Sequence, residues 1–282
     1  MIKAVTGDLI RKVYPKRHQW DRKGDYGKVL VVGGSRRYRG APALCGLAAM
    51  RAGADLVTIA APEGAADVIS SFSPNLITEP LVGDYISMDN VHKLENIADK
   101  SDAVVLGSGL GRMLDTRDAV HEFLSSLRKP CVIDADAIHM VSEEKRLLKK
   151  GWIITPHANE FYSLIGHKVS KNVESRMKEA VRFSRQHRAT VLLKGYKDVI
   201  AEGSHAVINS TGNPYMTVGG TGDVLSGLCG AFLAMGVKSL QAAASAAYIC
   251  GEAGDMAAEE LGPGMLATDV IERIPAVLKK TL

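Results

Sequence analysis

Short apolar runs recur along the chain at Lys28–Val32, Leu56–Ala60, Ala103–Leu106, Cys131–Asp134, Trp152–Thr155, Thr190–Lys194, Asp198–Ala201 and Ala206–Asn209. Several are β-branched and show no polar alternation, the pattern of strands covered on both faces. Helical stretches lie between them. Ala41–Gly53 is small and apolar, and Thr116–Leu127 carries Ala119, Val120, Phe123, Leu124 and Leu127 at three- and four-residue spacing. Lys171–His187 is charged on one side, whereas Asp223–Met235 and Leu240–Ala258 are apolar nearly all round. This alternation predicts an α/β fold: a mostly parallel central sheet with helices on both faces, three layers in all. The runs flanking Glu202–Gly203 predict a hairpin inserted in it. No linker, repeat or low-complexity segment interrupts the pattern, so residues 1–282 are expected to form one domain.

Ligands of such sheets gather at the carboxyl ends of the strands. The chemically informative residues follow predicted strands: Gly33–Gly34, Gly107–Gly111, Asp134 with Asp136, Pro156–Glu160, and Lys194–Gly195. The sharpest segment is Gly219-Gly-Thr-Gly-Asp-Val-Leu-Ser-Gly227, which leads into a helix. Glycines there permit backbone that a Cβ forbids, and a helix start offers free N–H groups to phosphate or a developing oxyanion. Gly220, Thr221 and Gly222 are the expected anion hole. Asp223 is either a cap for this helix or a base that takes the proton of a substrate hydroxyl while the N–H groups hold a transferring phosphoryl group. The chain has no Walker A loop, and Arg112 spoils any reading of Gly107–Gly111 as a dinucleotide fingerprint. Those glycines mark a tight turn or let a flat ligand lie on the backbone.

His157 and Glu160 stand one helical turn apart and face the same way. His157 is expected to touch ligand, and Glu160 to hold Mg²⁺ through water, because Mg²⁺ keeps much of its hydration and uses few carboxylates. Lys194 is either solvated at the rim or a counter-charge for phosphate. Asp134 and Asp136 either contact ribose or metal or cap the next helix. His18, His92 and His121 read as surface or structural positions.

Composition narrows the classes. Lys and Arg number 35 against 31 Asp and Glu, a net charge of +4, and aromatics make up only 5% of the chain. This is little material for base-stacking platforms, so no nucleic-acid partner is expected. Cys45, Cys131, Cys229 and Cys250 sit among apolar neighbours without a C-x-x-C pair; they read as core residues of a protein from a reducing compartment, the cytoplasm. The N-terminus lacks the apolar core of a signal peptide, and no stretch has the length of a membrane span.

Gly27-Lys-Val-Leu-Val-Val-Gly-Gly34, Arg51-Ala-Gly-Ala54, Ser108–Gly111, Asp134-Ala-Asp136, Thr155-Pro-His-Ala-Asn-Glu160, Leu193-Lys-Gly195 and Asn213–Gly227 together resemble the ADP- or ATP-dependent NAD(P)H-hydrate dehydratases of the ribokinase-like superfamily. The resemblance runs from about residue 5 to residue 280, and Asn209-Ser-Thr-Gly-Asn-Pro followed by GGTGD is its most specific part. It implies an enzyme that phosphorylates the C6 hydroxyl of hydrated NADH or NADPH and then eliminates phosphate. ADP is the donor expected for a microbial member, with AMP released and Mg²⁺ as cofactor. By matching position, Asp223 is the base and contacts the hydrated dinucleotide, with Ala41, Gly109 and His157 lining that site. Lys194, Gly195, Tyr196, Lys197, Asp198 and Gly222 hold the adenine nucleotide. Asn159 stands where a Gly often precedes the motif Glu, and Tyr215 where a small residue often follows Asn213-Pro214. The resemblance also implies a homotetramer and, since the chain leaves no room for an epimerase domain, a separate epimerase for the R form.

The alternatives are a vitamin-precursor kinase of the same superfamily, which needs the same loop and Asp, and a nucleotide sensor without catalysis. The Pro156–Glu160 segment and the Asn-Pro before the loop favour the dehydratase over the kinase; an intact Asp223 argues against the sensor.

Overall fold

In the computed structural model, which describes residues 3–282, one sheet of ten strands runs through the molecule. The strands are β1 (Lys3–Ala4), β2 (Lys28–Val32), β3 (Leu56–Pro62), β4 (Ile77–Leu81), β5 (Ala103–Leu106), β6 (Cys131–Ile133), β7 (Ile153–Ile154), β8 (Thr190–Leu193), β9 (Asp198–Glu202) and β10 (His205–Asn209). Their spatial order is β1-β10-β9-β8-β7-β6-β5-β2-β3-β4. Only β9 runs against the rest, pairing antiparallel with β8 and β10. The inserted hairpin is therefore present, turning at Gly203 in the left-handed region with φ +58°. All eight predicted strands occur. The two extra ones, β1 and β4, are the edges of the sheet. β4 reads Ile-Thr-Glu-Pro-Leu, and its Pro80 is tolerated because an edge strand has an N–H row with no neighbour to serve.

The helices are α1 (Gly7–Val13), α2 (Gly40–Arg51), α3 (Glu63–Phe72), α4 (Val91–Asp99), α5 (Leu114–Ser126), α6 (Asp136–Glu143), α7 (Ala158–Ile165), α8 (Val173–His187), α9 (Thr221–Ala234), α10 (Ser239–Leu261) and α11 (Ala267–Thr281). Side chains alternate across each strand, which explains the unbroken apolar runs. In β2, Val29 and Val31 enter one core with α1, α2, α3, α9, α10 and α11, while Leu30 and Val32 enter the other with α4 to α8. In β5, Ala103 and Val105 split from Val104 and Leu106 in the same way. The three-layer αβα sandwich follows directly. All four cysteines are buried and unpaired. Among the described residues no helix is long and apolar enough to cross a membrane.

Because all strands but β9 run parallel, their carboxyl ends open on one rim. At that rim β5 and β6 come unusually close: a Cβ on Gly107, whose φ is +137°, would overlap the carbonyl oxygen of Asp134. Next to it Ala135 holds φ 49° and ψ −124°, a conformation that costs a residue with a Cβ about 1–3 kcal/mol. This strain sits between the two aspartates whose placement it fixes.

Candidate active site

Helix α9 supplies the centre of the rim. It begins two residues earlier than its apolar pattern predicts, because Gly220, with φ +99°, serves as its N-cap. Thr221, Gly222 and Asp223 thus form its first turn, where backbone N–H groups have no acceptor within the helix. Thr221 Oγ donates backwards to the carbonyls of Met216 (2.8 Å) and Val218 (3.2 Å), which ties the preceding turn, Pro214–Thr217, under the helix start. The capping alternative for Asp223 is not realised, since no side chain caps α9. Its carboxylate instead lies near the Ser108 hydroxyl, which is fully buried and makes no hydrogen bond. Burial raises the Asp223 pKa, and the charge of Asp134 adds to it; Ser108 and Lys194 pull the other way, and the balance stands at about 7.

Across from this helix start is a buried charge cluster. Lys194, at the end of β8, donates to Asp134 Oδ1 at 3.1 Å and lies 3.8 Å from Glu160 Oε2. Thr155 Oγ donates to the same Asp134 oxygen at 2.6 Å. Burial alone would draw the Lys194 ammonium down, but Asp134, Glu160 and Asp223 hold its pKa above the ordinary lysine value. Lys194 Nζ is 3.5 Å from where a Cβ on Gly222 would sit, so the cation faces the helix start. Asp134 is therefore a buried counter-ion, neither a cap nor a free ligand. Asp136 accepts from Gly111 N (2.9 Å) and Arg112 Nε (3.0 Å), and so fixes the end of the Gly107–Gly111 turn.

His157 and Glu160 form a reciprocal cap on α7. His157 Nδ1 accepts from the N–H groups of Asn159 (3.1 Å) and Glu160 (3.2 Å), and Glu160 Oε2 accepts from His157 N at 2.8 Å. An accepting Nδ1 places the ring proton on Nε2, which is left to face Glu160 or the cavity. His157→Ala is expected to cost about 1 kcal/mol, whereas His157→Asn keeps an acceptor and most of the stability; thermal melts of the two variants check this. Glu160, expected as a water-mediated Mg²⁺ ligand, is thus placed as a capping carboxylate beside an ammonium. Among the described residues no group of three His, Cys, Asp or Glu side chains could hold a metal ion.

A cavity of about 650 Å³ opens beside this cluster. His157, Lys194, Gly195, Tyr196, Asp198 and Gly222 line it, together with Thr211–Pro214, Met216 and Thr217 and the inner face of α10 at Ala247, Cys250 and Gly251. Its floor is tied to α10: Asn213 Nδ2 donates to Asp255 Oδ1 (2.9 Å) and Gly254 O (3.0 Å), and Gly212 N to Asp255 Oδ2 (2.9 Å). Asp198 accepts from Gly195 N (3.0 Å) and Asn209 Nδ2 (3.1 Å), yet burial keeps its pKa raised. Of the residues expected around the nucleotide, Lys197 does not line the cavity; its carbonyl accepts from the buried Arg176 guanidinium. Ala41 and Gly109 lie elsewhere on the rim, against each other and against Tyr38. Ser108, next to Gly109, faces Asp223, so this carboxylate stands between the cavity and the Ala41–Gly109 side. His157, expected with Ala41 and Gly109, belongs to the cavity side.

Sequence reasoning places Ser108 and Thr155 within motifs without giving them a role, and misses Asp255 and Arg176. Arg176 left a signal: with Ala180 and Phe183 it falls on the buried stripe of α8, where a charge needs a reason.

A family model described as NAD(P)H-hydrate dehydratase matches residues 29–276. The chain is 42% identical over 279 residues to the bifunctional NAD(P)H-hydrate repair enzyme Nnr of Methanothermobacter thermautotrophicus, covering 96% of this chain and 53% of that protein. It is 40% identical over 280 residues to the ADP-dependent (S)-NAD(P)H-hydrate dehydratase of Cenarchaeum symbiosum, covering 98% and 97%. The chain thus spans about half the length of the bifunctional relatives and nearly all of the single-function one. Among solved structures, the ADP/ATP-dependent NAD(P)H-hydrate dehydratase of Bacillus subtilis, co-crystallised with ATP/Mg²⁺, superposes with a TM-score of 0.83 at 26% identity, covering 100% and 99%. The three-layer arrangement is the ribokinase-like fold.

Proposed function

The chain belongs to the NAD(P)H-hydrate dehydratase family, and on that premise we propose that it is an ADP-dependent (S)-NAD(P)H-hydrate dehydratase. The observation that carries this reading is the position of Asp223. It is a carboxylate with a pKa of about 7, in the first turn of a glycine-led helix, between a nucleotide-sized cavity and a second rim site at Ala41 and Gly109. A base near neutrality is suited to take a hydroxyl proton at physiological pH.

In the proposed reaction the adenine nucleotide occupies the 650 Å³ cavity, its phosphates directed to the α9 N-terminus and Lys194. The hydrated nicotinamide ring lies against Ala41 and Gly109. Asp223 takes the C6 hydroxyl proton, and the oxygen attacks the terminal phosphorus of ADP. The O–P bond to AMP breaks as the new one forms. The N–H groups of Gly220, Thr221 and Gly222, at the cap and first turn of α9, hold the charge that spreads over the phosphoryl oxygens. Hydroxide leaves badly and phosphate well. The ring nitrogen therefore expels phosphate from C6, and loss of a C5 proton restores the dihydropyridine. Net, one ADP becomes AMP and phosphate while the hydrate loses water.

The donor set offers Mg²⁺ no protein cage, because Asp134 and Glu160 are already engaged with Lys194, Thr155 and the His157 N–H. A homotetramer in the cytoplasm, fed by an epimerase activity that supplies the S form, completes the proposal. Incubation with hydrated NADH, Mg²⁺ and ADP is expected to restore the near-ultraviolet absorbance of NADH with one AMP formed per ring repaired. No recovery with either ADP or ATP refutes the activity. A stable phosphorylated product from a vitamin precursor points to the kinase instead.

A further inference from the structure

Lys194, Gly195, Tyr196 and Asp198, which form one wall of the cavity, belong to the turn joining β8 to β9. One bond within the turn, Gly195 N to Asp198 Oδ1 at 3.0 Å, ties its middle to its end. Arg176, on the neighbouring helix α8 and only 8% exposed, reaches under it. Its Nη1 donates to Lys197 O at 2.8 Å, and its Nη2 to Leu193 O at 2.9 Å and Lys194 O at 2.8 Å. One planar guanidinium thus joins the start and the end of the turn, which the single point of an ammonium cannot do as well. Asp198 takes the Gly195 N–H from the other side. Arg176 itself is not among the residues that line the cavity.

The same contact explains Gly195. Its φ lies outside the left-handed region, so the backbone does not demand glycine there. The space does: a Cβ would stand 2.5 Å from Arg176 Nη1 and 2.7 Å from Nη2. The glycine of the Lys194–Gly195 pair makes room for the guanidinium.

We propose that Arg176 is a positioning residue for the phosphoryl donor: by clamping Leu193, Lys194 and Lys197 carbonyls it sets the shape of the turn that receives a nucleoside diphosphate. This rests on the reading of the 650 Å³ cavity as the donor site. The hydrated dinucleotide, bound on the Ala41–Gly109 side, does not feel the clamp.

The test compares full-length wild type with Arg176→Lys, Arg176→Ala, Gly195→Ala and the Arg176→Ala/Gly195→Ala double variant. ADP binding is measured by calorimetry, and KM values for ADP and hydrated NADH by the repair assay. Each single variant is expected to weaken ADP binding and raise its KM on the order of 10- to 100-fold, as small displacements of positioned groups do. KM for hydrated NADH and kcat are expected to stay within about threefold. In the Arg176→Ala background, Gly195→Ala is expected to add less than about twofold, since its methyl no longer meets a guanidinium. A full additional loss in the double variant would mean that the methyl blocks nucleotide directly, and would overturn the proposal. So would unchanged ADP affinity in Arg176→Lys and Gly195→Ala that melt as folded proteins, the two variants that carry the test if Arg176→Ala does not fold. So too would a loss shared equally by both substrates. A wild type that binds neither ADP nor ATP refutes the donor-site reading itself, a result distinct from variants that match a binding wild type.

Discussion

Asp223→Asn is expected to lower turnover by a factor on the order of 10²–10⁴ while leaving ADP affinity within about threefold, because the amide keeps the size of the side chain and cannot take a proton. In wild type the base must be ionised, so kcat/KM is expected to climb with pH and level off above about 7. Asn removes that limb and leaves a low, flat profile. Stability should move the opposite way. Burial first, and Asp134 second, raise the folded carboxyl from 3.8 to about 7. Stability from the neutral group is complete below about 4 and is lost as pH rises through 7, because the ionised form is easier to carry in the unfolded chain. Asn, neutral throughout, does not incur that loss. The melting-temperature advantage of the variant is therefore expected to grow from pH 4 to pH 7 and then hold, reaching on the order of a few degrees. Turnover near wild type, or an advantage over wild type no larger at pH 8 than at pH 5, would remove Asp223 from the role of buried base.

That behaviour depends on geometry the sequence discloses unevenly. The core strands were legible because Val29–Val32, Val104–Leu106 and Val191–Leu193 are buried on both faces, leaving no polar position to confuse the pattern. The edges were not: β1 spans two described residues, and β4 mixes Glu79 and Pro80 with half-exposed neighbours. The short helices α1 and α4 are held by packing of Ile10, Val91 and Leu94 more than by their own signals. At the rim, Gly220–Asp223, His157, Glu160 and Lys194 could be singled out because glycine, histidine and lone charges beside apolar strands are locally conspicuous. Their partnerships were hidden. Asp134 with Lys194 joins residues 60 positions apart, and Asp255 reaches the Gly212–Asn213 backbone from another helix. Glu160 shows the limit most clearly. One helical turn from His157, it suggests a water-mediated Mg²⁺ ligand, whereas the same spacing is also that of a reciprocal helix cap, and Glu160 Oε2 accepts from the backbone N–H of His157 beside the Lys194 ammonium.

Lys194→Met carries the second large effect, on stability and on chemistry together. The ammonium is the cation within reach of Asp134, whose side chain is only 2% exposed, and of Glu160, at 8%. Removing one member of a buried pair leaves the other's charge without compensation, at a cost of about 3–5 kcal/mol. Denaturant titration at pH 7 is expected to show that loss. Adding Asp134→Asn should return much of it, since Thr155 Oγ can still donate to the amide oxygen in place of the carboxylate. A double variant no more stable than Lys194→Met alone would mean that the lysine was not compensating Asp134. The chemistry separates from the stability by its pH dependence. Lys194 holds the Asp223 pKa down against burial and Asp134. Without it the acid limb of kcat/KM is expected to move to higher pH, so activity recovers partly on the alkaline side. In the double variant one raising charge is gone as well, and the limb should move back toward its wild-type position. KM for ADP stays high in both variants, because neither restores a cation beside Gly222 where the donor phosphates are proposed to lie.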